Sequence, residues 1–498
     1  MLKPTIYLIF NFKFTQRFPV VLKRLASQTL LYGLGSILPR VLNFLLVPLH
    51  TINTFNKAEY GTVTKLFAFV AFLNVVYLFG METAFFRFST KPEADKKRIF
   101  NLAQSVVLTI SLSLSLIFIL FSSPIAQALG GGVKPTFIVW ITLIMLIDAM
   151  VAIPFARLRL ENKALLFAAA KIINVLILLG LNYYFLKINY DPAIGIGYVF
   201  LANLIANAFF ILFFLKTLFA WRPAYDATIS KSMFQYAYPV MLTGLAGMTN
   251  EMFSRLTLEW WLPVNFYPGQ SNDDALGVFG ACYKYAVFMN LGIQAFRYAA
   301  EPFFFSQASQ KNSPQQFAQI NHFFVITCCL FFIGVSIHLD VLQFLIGEEF
   351  REGLYIVPVL LMAYLFLGVY YNMSVWFKLT DKTYYGTWIT AGGALITIAA
   401  NYVLIPYLGY WGSSWAALLC YAGMTVACYV LGQRYYPIPY SIGKSGFYIL
   451  FSIALVVVTG LITIENRVLS TLFHLAVCVL FVAVAYLLER KNLRLPAP

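Results

Sequence analysis

Fourteen predominantly apolar runs, each near the roughly 20 residues that a helix needs to cross a bilayer, follow one another along this chain. They lie at 29–50, 64–86, 100–121, 136–156, 164–186, 193–216, 236–259, 277–303, 318–338, 352–376, 384–406, 410–432, 445–464 and 468–488. Backbone placed in hydrocarbon must satisfy its own polar groups, and runs of this length do so as helices. The expectation is an all-α polytopic membrane protein with about 14 transmembrane helices. Composition points the same way. Apolar residues make up 60% of the 498 and charged residues 11%, against about a quarter charged in soluble proteins. So few charges cannot cover a water-facing surface.

The formal net charge of +15 would suggest a nucleic-acid partner in a soluble protein, but its distribution gives another account. With the N-terminus inside, the cytoplasmic connections hold 24 of the 35 Lys and Arg residues. The outer connections hold only Lys57, Lys134, Lys187, Arg351 and Arg467. This alternation follows the positive-inside rule; it places both termini in the cytoplasm, with the spans in an inner membrane, and implies no nucleic acid. Residues 1–28 carry Lys3, Lys13, Arg17, Lys23 and Arg24 around a short apolar run, without a small-residue cleavage site, and read as a cytoplasmic lead-in. The six cysteines (Cys282, Cys328, Cys329, Cys420, Cys428, Cys478) form no CxxC pair, and four scattered histidines complete no metal site. No Walker A glycine pattern is present, and the connections are too short for a folded domain. ATP-driven transport within the chain is therefore not expected, nor is a cofactor.

Setting Gly61 in AEYGTVTKLFAF on Gly277 in DALGVFGACYKY gives an offset of 216. That offset carries the runs at 100–121, 136–156, 164–186 and 193–216 onto 316–337, 352–372, 380–402 and 409–432, where later runs lie. An even number of helices per unit makes the repeat parallel, with a pseudo-twofold along the membrane normal. The expected plan is a lead-in (1–28), a six-helix lobe (29–216), a cytoplasmic linker (217–235), a second six-helix lobe (236–432), helices 13 and 14 (445–488) and a cytoplasmic tail (489–498).

Ionisable residues at membrane depth are costly and face a cavity or a partner. The first run holds Arg40 beside Pro39, and the seventh holds Glu251, Arg255 and Glu259 on one face. The eighth holds Asn290, Gln294, Arg297 and Glu301 on one stripe, with Lys284 on another. Arg40 plus 216 falls one residue from Arg255, so each lobe's first helix carries an arginine at similar depth. Arginine forks suit phosphate oxygens and stay charged in any dielectric. A cleft with Arg40, Arg255, Arg297 and Lys284 reads as a substrate-binding site for an anionic, phosphorylated headgroup. Competing readings stand beside it. Arg255 between two glutamates also suits an intrahelical ion pair, Arg297 also suits a pair with Glu301, and Lys171 and Lys284 also suit snorkelling. Asp148 in the fourth run and Glu251 are candidates for ion coupling; a bridge from Asp148 to Arg40 or Lys171 is the structural alternative.

The runs SQTLLYGLGSILPRVLNFLLVPLHT and AEYGTVTKLFAFVAFLNVVYLFGMETAFFRF, with LGVFGACYKYAV and NYVLIPYLGYWGSSWAALLCYAG, resemble bacterial polysaccharide-export flippases. These belong to the multidrug/oligosaccharidyl-lipid/polysaccharide superfamily, and the resemblance covers essentially the whole chain. It implies movement of an undecaprenyl-pyrophosphate-linked oligosaccharide from inner to outer leaflet by alternating access between the lobes. Arg40 and Arg255 match the cationic cleft of such flippases. Helices 13 and 14 would border a groove for the lipid tail, and the partners would be membrane lipid and the polysaccharide polymerase machinery. Glu59, before Tyr60 and Gly61, belongs to the shared motif and reads as a structural loop position. Two other classes compete. A multidrug and toxin extrusion antiporter would want an acid-dominated cavity for cationic drugs. A polysaccharide polymerase or ligase would need a sizeable outer loop, and 262–276 and 339–351 are short.

Overall fold

The computed structural model describes residues 33, 35, 37–91, 93–307, 310, 312–462 and 464–490. The expected lead-in and the tail beyond residue 490 lie outside them. Helices account for the architecture, and no strand occurs among the described residues. In chain order they are α1 (Ile37–Thr51), α2 (Lys57–Ser89), α3 (Lys96–Leu120), α4 (Pro135–Leu160), α5 (Ala164–Ile188), α6 (Gly197–Phe213) and α7 (Ala227–Trp261). There follow α8 (Asn272–Gln307), α9 (Ser313–Ile337), α10 (Glu348–Leu379), α11 (Tyr384–Leu408), α12 (Tyr410–Tyr435), α13 (Ile442–Gly460) and α14 (Arg467–Glu489). Each overlaps one of the fourteen apolar runs.

Eleven of these helices are long and apolar enough to cross a membrane. The other three depart for physical reasons. The described parts of α1 and α6 are short, and α7, 35 residues long, carries Glu251, Arg255 and Glu259 along its later half. Polar side chains set several helix starts. Asn56 accepts from the Glu59 amide while the Glu59 carboxylate accepts from the Asn56 amide, a capping box that opens α2. Glu59, read from the motif as a loop position, instead lies in the first turn of α2 and closes this box. Asp95, Asp226 and Asn466 cap α3, α7 and α14.

The end of the bundle where α1 meets α2 is the outer end in the orientation that the charges predict. There α2 and α8 cross at Gly61 and Gly277. A Cβ on Gly61 would lie 2.1 Å from the Asp273 carbonyl oxygen, and one on Gly277 2.0 Å from that of Lys57. Lys57 and Asp273 are themselves 216 positions apart, so the contact is reciprocal under the repeat. At the inner end α2 breaks at Phe79 and Gly80, both left-handed. A Cβ on Gly80 would lie 2.6 Å from the Ala237 carbonyl of α7, so only glycine satisfies both backbone and neighbour there.

The buried apolar side chains gather chiefly in two large clusters, one in each half of the chain. Tyr77, Phe85, Phe137 and Phe200 belong to the first; Phe279, Tyr364 and Trp376 belong to the second. The second cluster also takes in Tyr448 of α13 and Phe481 of α14. A polar pin reinforces this docking, Ser470 Oγ of α14 donating to Asp340 at 3.1 Å, while Tyr448 ties α13 to α14 by donating to Glu489 at 3.2 Å.

Candidate substrate cavity

Between the first and second halves of the chain lies a cavity of about 330 Å³. Its lining comes from α1, α2, α5, α6, α7 and α8, and its polar groups divide by half. Arg255 of α7 and Lys284 of α8 bring two cations from the second half. Asn43, His50, Asn182 and Asn203 bring amides and an imidazole from the first. No Asp or Glu belongs to the lining.

Helix geometry explains the cationic wall. Arg255 lies six positions before the last residue of α7, and Lys284 lies on α8 seven residues after the Gly277 crossing. Both therefore sit just beneath the outer closure. The Arg255 guanidinium stands 4.0 Å from the centre of the Tyr283 ring, and its Nη1 donates to Met252 Sδ. Neither Arg255 nor Lys284 meets a carboxylate among the described residues. The intrahelical pairing that Glu251 and Glu259 invited does not form. The Lys284 side chain is exposed to the cavity rather than drawn towards a headgroup region.

The opposite wall is positioned by hydrogen bonds. Asn182 Nδ2 donates to the Leu178 carbonyl at 2.9 Å, which turns its oxygen towards His50 Nε2, also 2.9 Å away. His50 thus donates from Nε2, and its ring is packed by Phe55 and Tyr60. Sequence reading passed over His50, Asn182 and Asn203. A lone histidine at a helix end and two asparagines on separate helices carry no spacing signal; only the fold brings them together.

Two expected cavity residues lie elsewhere. Arg40 Nη1 donates to Gln294 Oε1 of α8 at 2.5 Å, and Gln294 in turn donates to Asn290. Arg40 does not belong to the cavity lining. It is eleven residues from the outer end of α1, whereas Arg255 is six from the outer end of α7. At 1.5 Å per residue the difference is about 7 Å of depth. Arg297 sits in a separate cluster at the inner end of α8. It is 3.5 Å from Glu301 and stands over the Tyr371 ring, and Lys378 pairs with the same Glu301 at 2.5 Å.

The ion-coupling candidates also lie outside the lining. Asp148 accepts from Asn207 Nδ2 at 3.0 Å, within a polar group that includes Asn174. Lys171 is held over the rings of Phe155 and Phe210, 4.3 and 4.7 Å from their centres. Glu251 is half-buried on α7.

Above the cavity the halves are locked. Lys65 of α2 has no exposed surface; its Nζ donates to Glu259 Oε2 of α7 (2.6 Å), Asp273 Oδ1 of α8 (3.2 Å) and the Leu129 carbonyl (3.1 Å). Lys57 and Glu352 add a more exposed bridge at 2.9 Å. A second cavity, about 750 Å³ and largely apolar, lies between α8 and α9. Phe288, Phe296, Phe324 and Phe331 line it, and no residue of α13 or α14 does.

The described residues thus form an all-helical, multi-pass membrane protein with a cavity between its two halves. The chain belongs to the polysaccharide biosynthesis protein family, whose profile matches residues 55–346. Among curated proteins, none matches the sequence. Solved structures share the fold. A lipid II flippase MurJ in an inward closed conformation superposes with a TM-score of 0.73 at 13% identity, over 93% of this chain and 100% of that one. The Vibrio cholerae MATE transporter VcmN gives 0.56 at 16%, over 83% and 96%. An inward-facing multidrug resistance MATE transporter of the MOP superfamily gives 0.56 at 15%, over 86% and 98%.

Proposed function

We propose that the chain is a flippase that carries an undecaprenyl-pyrophosphate-linked oligosaccharide from the inner to the outer leaflet of the cytoplasmic membrane. The observation that carries this reading is the charge of the cavity: among the described residues, two cations face it and no acid does. Arg255 and Lys284 would hold the pyrophosphate, where low dielectric strengthens charge-assisted hydrogen bonds. The amide-bearing wall suits sugar hydroxyls and N-acetyl groups. The family's place in polysaccharide biosynthesis agrees with a glycan cargo.

Transport would follow alternating access, with residues 29–216 rocking against 236–432 and the glycine crossing closing the outer end. Both termini would stay cytoplasmic, and Asp148 or Glu251 would couple an ion. The lipid tail would lie in the apolar cavity between α8 and α9, replacing the groove expected at helices 13 and 14. Polymerase machinery acting on the delivered glycan would be the functional partner. The chain performs no chemistry in this scheme.

Translocation of a labelled polyprenyl-pyrophosphate oligosaccharide in proteoliposomes tests the reading. Wild type should move the lipid, and Arg255→Ala/Lys284→Ala should not. A wild type that moves no lipid-linked glycan but exports cationic dyes would overturn it in favour of a drug antiporter.

A further inference from the structure

Glu259 has a role that the cavity alone does not assign. It lies one helical turn beyond Arg255 on the same face of α7. In this structure, however, its carboxylate is taken by Lys65 at 2.6 Å, and Lys65 belongs to α2, in the other half of the chain. Arg255, left without a carboxylate among the described residues, faces the cavity. The state of Arg255 is therefore tied to the closure above it.

Opening the outer end would separate α2 from α7 and α8, because the glycine crossing and the Lys65 bridges hold these three helices together there. Lys65 leaves with α2, and Glu259 stays on α7 without its cation. The one cation within side-chain reach on its own helix face is then Arg255, four residues back, the spacing at which helical ion pairs form. The other acid on this stripe, Glu251, lies one helical turn to the inner side of Arg255.

We propose that Glu259 is a release residue: held by Lys65 while the outer end is closed, it pairs with Arg255 when that end opens and displaces the bound pyrophosphate. This rests on the pyrophosphate reading of the cavity. It gives the anion site high affinity with the outer end shut and low affinity with it open, a difference that speeds discharge on the outer side. Asp273, freed by the same movement, adds negative charge along the exit. The device supplies no drive by itself, since a change in affinity between two states shifts populations and not the overall equilibrium.

Binding of farnesyl pyrophosphate to the full-length chain in nanodiscs tests the proposal with four proteins. Wild type should bind. Lys65→Met, which frees Glu259, should bind about tenfold more weakly, as expected for a competing ion pair at reduced dielectric. Lys65→Met/Glu259→Gln should recover to within about threefold of wild type, although its closure is equally broken. A double variant as weak as Lys65→Met would overturn the proposal alone and leave the cavity reading standing. A wild type that fails to bind would overturn the cavity reading and this proposal with it. Should Lys65→Met not fold, Glu259→Gln carries the test: probe dissociation should slow, and an unchanged rate would overturn the proposal.

Discussion

Two lysines of this bundle, Lys65 and Lys284, lie near the outer end within a few turns of each other and have opposite surroundings. Lys65 is fully buried against two carboxylates and a carbonyl, all three outside its own helix. Lys284 meets no carboxylate among the described residues and presents its ammonium to a cavity that lacks acids. A charge at membrane depth must be compensated. Lys65 is compensated within the protein, and its bridges hold two halves together. Lys284 is left for water or an anion to compensate. The difference separates closure from binding site: the cations that matter for cargo are those the fold leaves without partners.

The sharpest way to break this comparison is to remove the uncompensated pair. Arg255→Ala/Lys284→Ala should cut glycolipid translocation by about 100-fold or more, since each lost charge-assisted hydrogen bond is worth about 1.5–3 kcal/mol. Protein yield and thermal unfolding should stay near wild type, because neither side chain holds an acid. Collapse of folding in this variant would show instead that the cavity cations are structural.

Closure should fail next when its glycines are filled. Gly277→Ala would place a Cβ 2.0 Å from the Lys57 carbonyl oxygen, closer than any relaxed contact, and α2 and α8 would have to part. Overpacking of this kind costs about 1–3 kcal/mol. The readout is labelling of Cys282, fully buried five residues further along α8, by an impermeant thiol reagent from the outer side. Labelling should rise strongly over wild type; unchanged labelling would mean that the crossing does not govern outer access.

Much of the fold was legible because hydropathy is a local signal: each apolar run acquires a helix, and the offset of 216 locates the Gly61–Gly277 crossing. The site was legible only in part. Arg255 and Lys284 were readable as charges at depth, but the pairing of Arg40 with Arg255 failed. A repeat offset aligns residues and not helix ends, and α1 continues to Thr51 while α7 stops at Trp261. The partners of Lys65 stand 194 and 208 positions away, so nothing near it in sequence distinguishes it from Lys284. Pairing across halves is a property of the folded chain.

Arg40→Ala sharpens the comparison from the other side. Its guanidinium donates to the neutral Gln294, outside the cavity lining. That bond is exposed, and exposed charged interactions are worth about 0.2–1 kcal/mol. Translocation should therefore fall by no more than about tenfold, well short of the cavity double variant. Equal losses would place Arg40 on the cargo path and extend the site inward along α1 and α8.

The smallest effect is expected at the inner connection, where charge pairing again bridges the halves but in water. Asp226 caps α7 through the Thr228 and Ile229 amides and pairs with Arg98 at the start of α3. The Ile229 amide, aided by Arg98, holds its carboxyl below the ordinary carboxylate value. A carboxyl depressed in the folded state stabilises the fold above its unfolded value, and that contribution is lost as pH falls through the folded value. Asp226→Ala should thus lower Tm slightly at neutral pH, and the gap to wild type should close as pH drops below about 4, the ordinary aspartate range. Salt should narrow the gap as well, because this pair is screened where the Lys65 bridges are not. A gap independent of pH and salt would mean that Asp226 acts through local backbone geometry alone and that its pairing with Arg98 does not tie the halves.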